Sequence, residues 1–290
     1  MPENDKQNIT ACLVVTWNSS TFLENSIGRL QAFAAPADIW VVDNGSSDGT
    51  PDRIRTSYPG VNLISLPVNT GFAGGNNCGM KAILAAGYRN IFLLNADTIV
   101  DEDILTRCNS ILADNPNVGI AGPTILEAEP PGIIQSEGGR IRAWTLNFEY
   151  FRRGEVFHRR DEIVDVGYVL GAGMMIRRGV IAEIGYFDED YYPAYVEEAD
   201  LCHRARKAGW RCVVDRGSAL RHIGEQSSGG ALKAFDRLSV RRFYFGIKHL
   251  GPFTFALAAA LVVARVFFWK CRFSLGMGPG VPLKRPAGAP

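Results

Sequence analysis

The sequence holds no Cys-x-x-Cys pair. Its six cysteines, Cys12, Cys78, Cys108, Cys202, Cys212 and Cys271, are scattered along 290 residues. That scatter leaves no tight metal-binding spacing and no disulfide framework, and several of the six sit in apolar runs where Cys is an ordinary small core residue. A reducing compartment is the reading that follows. The formal net charge is only +1, so no overall field is aimed at nucleic acid. Met1 to Asn8 is polar and lacks an apolar signal region, so secretion is not expected. There is no internal repeat. The turn after the first apolar run, Trp17-Asn18-Ser19-Ser20, has none of the glycines of a G-x-G-x-x-G fingerprint, which disfavours a dehydrogenase.

What is present is ample core material. The chain is 47% hydrophobic and 21% charged, enough for one large globular domain or two small ones. Ala11-Cys-Leu-Val-Val-Thr16 is a continuous apolar run, the pattern of a strand buried on both faces. Thr21-x-x-Glu24 reads as a capping box opening a helix toward Leu30. Ile39 to Val42, Val61 to Leu66, Ile91 to Leu94 and Val118 to Ala121 read as further strands. Between them lie a helix that Thr50 can cap with Pro51 at its first position, a flexible turn from Asn69 to Asn77 before a helix through Met80, Ile83 and Leu84, and a helix with Ile104, Leu105, Cys108, Ile111 and Leu112 on one face. This alternation predicts a doubly wound α/β half with a mostly parallel sheet, whose ligands bind at the carboxyl ends of strands.

From Ile125 to Asp165 the pattern loosens into expected loops and short antiparallel strands. Val166 to Ile176 and Trp210 to Val214 read as strands, and His222 to Gly230 as a polar loop. Ala231 to Leu250 is helical and basic, with Lys233, Arg237, Arg241, Arg242 and Lys248. Phe253 to Trp269 is apolar except for Arg265. As a helix it would be roughly 26 Å long at ~1.5 Å per residue, marginal against a bilayer core of about 30 Å. Basic residues on both sides (Lys248, then Lys270 and Arg272) favour a helix lying on or shallowly in a membrane over a buried one. Gly276 to Pro290 is Gly/Pro-rich, the composition of a disordered tail.

Three polar constellations carry chemistry. Asp43, Asn44, Ser46, Ser47 and Asp48 form a loop able to hold a nucleoside, a carboxylate for a ring N–H and hydroxyls and amides for ribose. Asn95-Ala-Asp97 follows a buried strand, where Asp97 offers hard oxygen to Mg²⁺ or Mn²⁺; His222 is a candidate further ligand or phosphate contact. Gly71 to Gly75 permit close backbone approach to a ligand. The densest stretch runs from Gly185 to Trp210. Five aromatics there precede Glu197, Glu198 and Asp200, and a helix through Leu201, Ala205 and Ala208 is closed by Gly209. Carboxylates at a helix start suit its dipole; behind an aromatic segment, one of them is also placed to line a pocket and act as a base.

In chain order, Val41-Val-Asp-Asn-Gly-Ser-Ser-Asp-Gly-Thr50, Asn69-x-Gly-Phe-Ala-Gly-Gly-Asn-Asn77, Leu93-Leu-Asn-Ala-Asp-Thr98, Gly171-Ala-Gly-Met-Met-Ile176 and Tyr195-Val-Glu-Glu-Ala-Asp-Leu201 resemble family 2 glycosyltransferases of the GT-A fold, and among them the bacterial rhamnosyltransferase branch. The resemblance covers roughly residues 9 to 250. It implies a metal-dependent, inverting transfer from a nucleotide-diphosphate sugar, with dTDP-rhamnose the favoured donor, to a glycan or lipid-linked acceptor in cell-envelope polysaccharide synthesis. Thr16, Asn18, Glu24 and Asp43 would hold the nucleoside, with Asn44, Ser46, Gly71, Asn76 and Asn95 completing the donor site. Asp97 would carry Mg²⁺ or Mn²⁺, joined by His222. Glu198 falls at the position of the catalytic base, with Glu197 and Asp200 on the acceptor side. The sequence departs from the family pattern in having Asn95 where many members have a first Asp, and Glu198 in place of the usual Asp.

The implied organisation is a glycosyltransferase domain over residues 1–230, divided into a nucleotide-sugar half (9–122) and an acceptor-binding, catalytic half (123–230). Basic and apolar helices follow over 231–275, and then the tail. The implied location is the cytoplasmic face of the cell membrane. A non-catalytic nucleotide-sugar-binding or scaffold protein on the same fold is the alternative, and the motif acids argue against it.

Overall fold

A computed structural model describes residues 9–142, 145–224 and 231–274. The first half is built as its apolar runs predict. Strands β1 (Thr10–Thr16), β2 (Ile39–Asn44), β3 (Asn62–Leu66) and β4 (Asn90–Asn95) pair in parallel, with β1 between β2 and β4 and β3 outside β2. Helices α1 (Thr50–Ser57) and α2 (Gly71–Ala85) are the crossovers from β2 to β3 and from β3 to β4. A two-residue strand β5 (Thr98–Ile99) and helix α3 (Ile104–Asp114) lead to β6 (Val118–Glu127). Successive residues go to opposite sides of this sheet. Cys12, Val14, Val41, Phe92 and Leu94 enter one core, and Ala11, Leu13, Val42, Ile91 and Leu93 the other. A sheet covered on both faces needs unbroken apolar runs, which is why the strands were legible.

The second half interrupts the parallel order. After β7 (Ile134–Ser136), the β8–β9 hairpin (Gly139–Arg142, Asn147–Tyr150) and β10 (Ile163–Asp165), strand β11 (Gly173–Arg177) inserts antiparallel between β4 and β6. Helices α4 (Arg178–Ile184) and α5 (Glu197–Lys207) follow, then β12 (Arg211–His222), parallel to β6. The full order is β10-β12-β6-β11-β4-β1-β2-β3. Two long helices, α6 (Ala231–His249) and α7 (Pro252–Ser274), close the described chain.

Several local expectations are corrected. The box Thr21-x-x-Glu24 caps nothing. The segment forms only a π-helical turn over Glu24–Gly28 with no side-chain cap, and Glu24 accepts instead from the Tyr58 hydroxyl at 3.0 Å. Thr50 is the first helical residue, and Asp48 accepts from its N–H at 3.0 Å. The stretch from Gly71 to Asn77 is helical, not a flexible turn. Its glycines let α2 lie directly on the sheet: a Cβ at Gly75 would stand 2.7 Å from Val15 Cγ1, and one at Gly79 2.3 Å from Leu13 Cδ1. Between Val166 and Ile176 only the last four residues are strand. The strand expected to stop at Val214 runs on to His222 through an irregularity between Asp215 and Ala219. There the buried Asp215 carboxylate accepts from Arg107, the Gly217 N–H and the Ser218 hydroxyl. That bend carries His222 to a strand end, not into a loop.

Among the described residues no helix is long and apolar enough to cross a membrane. One face of α7 packs inward, Ala258 and Val262 joining a third cluster with Leu146, Tyr191, Val196 and Phe245. The tail expected to be disordered, 276–290, lies outside the described residues.

Candidate active site

The carboxyl ends of β1, β2 and β4 lie side by side, Thr16 opposite Asp43 and Val15 opposite Asn95. Two loops close on one another there. Thr16 donates to Asp43 Oδ1 at 3.2 Å, and the Ser46 N–H donates to Asp43 Oδ2 at 3.2 Å. The Asn18 N–H donates to the Ser46 hydroxyl at 2.8 Å, and the Ser47 N–H returns a bond to Asn18 Oδ1 at 2.8 Å. Asp48 accepts from the Ser20 N–H at 3.1 Å. Burial works to raise the Asp48 carboxyl, but hydrogen bonds from Thr50 and Ser20 outweigh it and hold the pKa at about 2. Thr16, Asn18, Asp43 and Ser46 are thus one cluster.

Other residues expected at the donor site have structural work. The Asn44 amide meets all four of its hydrogen-bonding positions inside the protein: it donates to Asn69 Oδ1 and the Gly71 carbonyl and accepts from the Thr70 N–H and hydroxyl. It welds the end of β2 to the start of α2. Gly71 has φ +77, and a Cβ there would lie 2.8 Å from the Pro193 carbonyl oxygen, so its close approach is to the chain itself. Asn76 is buried and donates to the Phe72 carbonyl at 2.9 Å. Glu24 accepts from the Tyr58 hydroxyl at 3.0 Å, and no hydrogen bond joins it to the Asp43–Asp48 loop among the described residues. Sequence reasoning gave no role to Asn77, although it lies in a quoted motif. Its amide donates to the Phe187 carbonyl and Glu189 Oε1 and accepts from the Phe187 N–H, tying α2 to the acidic stretch.

Asp97 follows β4, and the strand end at His222 is paired with Thr98 on one side and Glu127 on the other. His222 Nε2 lies 3.2 Å from Asp97 Oδ1 and 3.3 Å from Asn95 Nδ2. Burial alone would raise the Asp97 carboxyl, but the hydrogen bond and charge of His222 outweigh it and hold it below its ordinary value. The far ring nitrogen, Nδ1, is 2.8 Å from Gln135 Oε1. Gln135 sits in the loosely patterned segment and no sequence signal marks it. Asp97 and His222, 125 positions apart, are therefore brought together as the metal reading requires. Among the described residues no third His, Cys, Asp or Glu joins them.

The acidic stretch opens on unusual backbone. Tyr195 (φ +85) and Val196 (φ +79) are both left-handed without being glycine, a local strain of order 1–3 kcal/mol each that accumulates at functional sites. The next residue begins α5. Asp200 is fully buried and accepts from Arg204 at 2.8 Å, Lys248 at 3.1 Å and the Tyr191 hydroxyl at 3.3 Å, with His249 Nε2 at 2.6 Å. Burial raises its carboxyl, and those partners overcome it and hold it well below the usual range. Arg204 lies one turn further along α5, and Lys248 and His249 lie on α6, so Asp200 fastens α5 to α6. Glu197 is 2% exposed, and its Oε2 has no hydrogen-bond partner among the described residues. Burial, then the neighbouring Glu198, pushes its carboxyl well up. Glu198 is only partly buried, and loss of water around it also raises its carboxyl. Loss of water thus disfavours the anion at both, and more so at the buried Glu197 than at the better solvated Glu198.

Glu197 gives a stability prediction with a definite sign. A carboxyl whose pKa is higher folded than unfolded stabilises the fold fully below the unfolded value of 4.5, and this contribution is lost as pH rises through the folded value. Glu197→Gln is neutral at every pH. Its melting temperature should gain on the wild type as pH rises above 4.5, the gap widening until Glu197 ionises in the native state. Thermal melts from pH 4 to 9 check this, and a gap independent of pH would contradict it.

The profile of Glycosyl transferase family 2 matches residues 11–185, from β1 through α4. The chain belongs to glycosyl transferase family 2. It is similar to the N-acetylglucosaminyl-diphospho-decaprenol L-rhamnosyltransferase of Mycobacterium tuberculosis, at 26% identity over 243 residues, which is 77% of this chain and 78% of the relative. Solved structures share the fold at lower identity. GalNAc-T7 with UDP, GalNAc and Mn²⁺ superposes with a TM-score of 0.63 at 13% identity over 83% of this chain. The chain spans about half that structure's length, 48%. The mannosyltransferase PcManGT from Pyrobaculum calidifontis, in complex with GDP-Man and Mn²⁺, superposes with a TM-score of 0.56 at 16% identity over 96% of this chain and 74% of that one. The glycosyltransferase therefore has the GT-A fold that these structures share.

Proposed function

We propose that this glycosyltransferase inverts the anomeric centre as it transfers rhamnose from dTDP-rhamnose to a glycan or lipid-linked acceptor of cell-envelope polysaccharide, with Mg²⁺ or Mn²⁺ bound. The observation that carries the proposal is the pairing of Asp97 with His222 at the strand ends, with the raised carboxyl of Glu198 at the start of α5. Rhamnose is favoured because the mycobacterial relative is named a rhamnosyltransferase acting on a diphospho-decaprenol acceptor.

The donor set suits the cation: one hard carboxylate oxygen from Asp97 and one imidazole nitrogen from His222, leaving diphosphate oxygens and water to complete the shell. When bound, it would offset the charge that develops on the departing diphosphate. The protein supplies the rest. Asp43 and its neighbours hold the nucleoside. Glu198 takes the proton of the acceptor hydroxyl as that oxygen bonds to the anomeric carbon and the carbon–diphosphate bond breaks. A single base on the acceptor side, attacking opposite the leaving group, inverts the centre. A panel of nucleotide sugars assayed for transfer and for thermal stabilisation, with and without each metal, tests the reading. A donor at 100 times its Kd should stabilise the native state by about 2.7 kcal/mol, and dTDP-rhamnose should do so in a metal-dependent way. Transfer from another donor only, or equal transfer in chelator, would overturn the corresponding part.

The acceptor side faces a membrane surface on this reading. α7 buries Ala258 and Val262 beside Tyr191 and Val196, the approach to Glu197. Its other side leaves Phe253, Leu257, Leu261, Val263, Phe267 and Phe268 exposed, Phe253 at 84%. An apolar face flanked by basic residues lies in the headgroup region and places a lipid-linked acceptor near Glu198. The whole protein should sediment with phosphatidylglycerol vesicles at low salt, and a chain ending at Leu250 should not. Full-length protein left in the supernatant would remove the membrane from the account.

A further inference from the structure

His222 is held from behind, and the chemistry of what holds it decides which of its nitrogens faces Asp97. Glu127 lies beside His222 in the β6–β12 register. Gln135, on the adjoining strand β7, reaches both residues. Its Nε2 donates to Glu127 Oε2 at 3.0 Å, and its Oε1 meets His222 Nδ1 at 2.8 Å. The two ends of an amide are easily exchanged in assignment, but here the partner settles them. A carboxylate only accepts, so the NH₂ of Gln135 must face Glu127 and its oxygen must face the ring. An amide oxygen also only accepts, so Nδ1 must carry the hydrogen. Nε2 faces Asp97 Oδ1 at 3.2 Å, and by the same rule that carboxylate accepts a hydrogen from it, so with Nδ1–H held by Gln135, Nε2 is the ring nitrogen whose hydrogen a cation would replace.

We propose that Gln135, oriented by Glu127, is a positioning residue that pins a hydrogen on His222 Nδ1 and so reserves Nε2 as the nitrogen offered, together with Asp97, to a divalent cation. The inference rests on the metal reading given above. Asp97 is a stronger acceptor than an amide and draws a hydrogen to Nε2, while Gln135 holds one on Nδ1, so the ring can give up the Nε2 hydrogen to a cation. Without Gln135 a ring with one hydrogen keeps it on Nε2, in the ligand position. A partner on the far nitrogen is the general way a protein fixes a histidine ligand, and losing one typically costs 10–100-fold in metal affinity.

The test reads the ring directly. In uniformly ¹⁵N-labelled, metal-free protein at pH 8, long-range ¹H–¹⁵N spectra report which nitrogen of each of the four histidines carries hydrogen, and His222→Gln assigns the signals. Nδ1 of His222 should lie in the protonated range, and should stay there when Mg²⁺ is added. In Gln135→Leu the hydrogen should move to Nε2, and Mn²⁺ affinity, measured by the quenching of its free-ion paramagnetic resonance signal, should fall about 10–100-fold. The exchanged pair Glu127→Gln/Gln135→Glu keeps one carboxylate and one amide. It should return both the Nδ1 hydrogen and most of the affinity, which a merely structural defect would not. A bare Nδ1 in the wild type, or Gln135→Leu with the wild-type tautomer and affinity, overturns the inference. Wild-type protein with a protonated Nδ1 but no Mn²⁺ binding would instead remove the metal reading and the cation clause with it, leaving only the hydrogen assignment.

Discussion

Glu198→Gln is expected to lower sugar transfer about 10²–10⁴-fold, the usual worth of a positioned base, while donor affinity stays at the wild-type level. Three carboxylates crowd the start of α5, and the structure separates them. Asp200 is fully buried among Arg204, Lys248, His249 and Tyr191, so its oxygens are spent. Glu197 is buried with its carboxyl pushed well up, which disfavours the anion that a base needs. Glu198 remains. It is partly exposed, at the first turn of a helix whose N-terminus favours its anion. Its raised carboxyl also makes it a stronger base than an ordinary surface glutamate. The acidic limb of the kcat/KM profile should therefore lie above the ordinary glutamate value of about 4.3, activity rising with pH as Glu198 ionises. Single-turnover rates and donor titrations on Glu198→Gln, Glu197→Gln and Asp200→Asn separate the roles. Near-wild-type transfer by Glu198→Gln, with either of the others dead, would move the base. Activity in all three would reduce the cluster to a helix start.

The first half was legible because burial on both faces forces continuous apolar runs, and the turns between them carry the polar residues. The same property hid the second half. A strand buried on both faces shows no direction in its composition, so nothing in Gly173–Arg177 announces that β11 runs antiparallel between β4 and β6. The stretch from Asn69 to Asn77 read as a turn because its glycines are poor helix formers. Tertiary contact overrides that preference, since only glycine lets α2 sit on Leu13 and Val15. At the site, Asp97, His222 and the acidic triplet were visible as residue types. That Asp97 and His222 share a site was implied by the family resemblance, but how they meet was not legible, because it depends on the irregularity in β12 held by Asp215. Asn44 shows the opposite error. An amide at a strand end looks like a ligand contact in sequence, yet here its four hydrogen bonds fasten β2 to α2. Gln135 was invisible: a single glutamine in a loosely patterned segment acquires meaning only from the carboxylate and the imidazole on either side of it.

Asp97→Ala is expected to leave the fold intact and to remove metal-dependent transfer, by about 10³-fold. The figure follows from the several kcal/mol of charge stabilisation that a bound cation contributes to a departing diphosphate; about 4 kcal/mol is about three powers of ten. Asp97 is the only carboxylate of the described residues set beside His222 Nε2, and Asn95, the amide next to it, brings no charge with which to replace it. The carboxyl is also held below its ordinary value, so Asp97 is an anion throughout the physiological range and awaits no change of pH before binding. His222 should respond less steeply than Asp97, since a neutral imidazole contributes a donor atom but not a charge. His222→Ala is expected to keep part of the metal-dependent transfer that Asp97→Ala loses. Mn²⁺ titration by calorimetry, together with transfer assays at saturating Mn²⁺, distinguishes lost affinity from lost chemistry in each variant. Circular dichroism and melting temperature guard against unfolding, which is not expected: the carboxylate's bond from the Gly224 backbone is lost, but the Asp97 carbonyl still accepts from the Ile223 N–H at 2.9 Å whatever the side chain. Undiminished metal-dependent turnover in Asp97→Ala would place the cation elsewhere and take His222 out of the site with it.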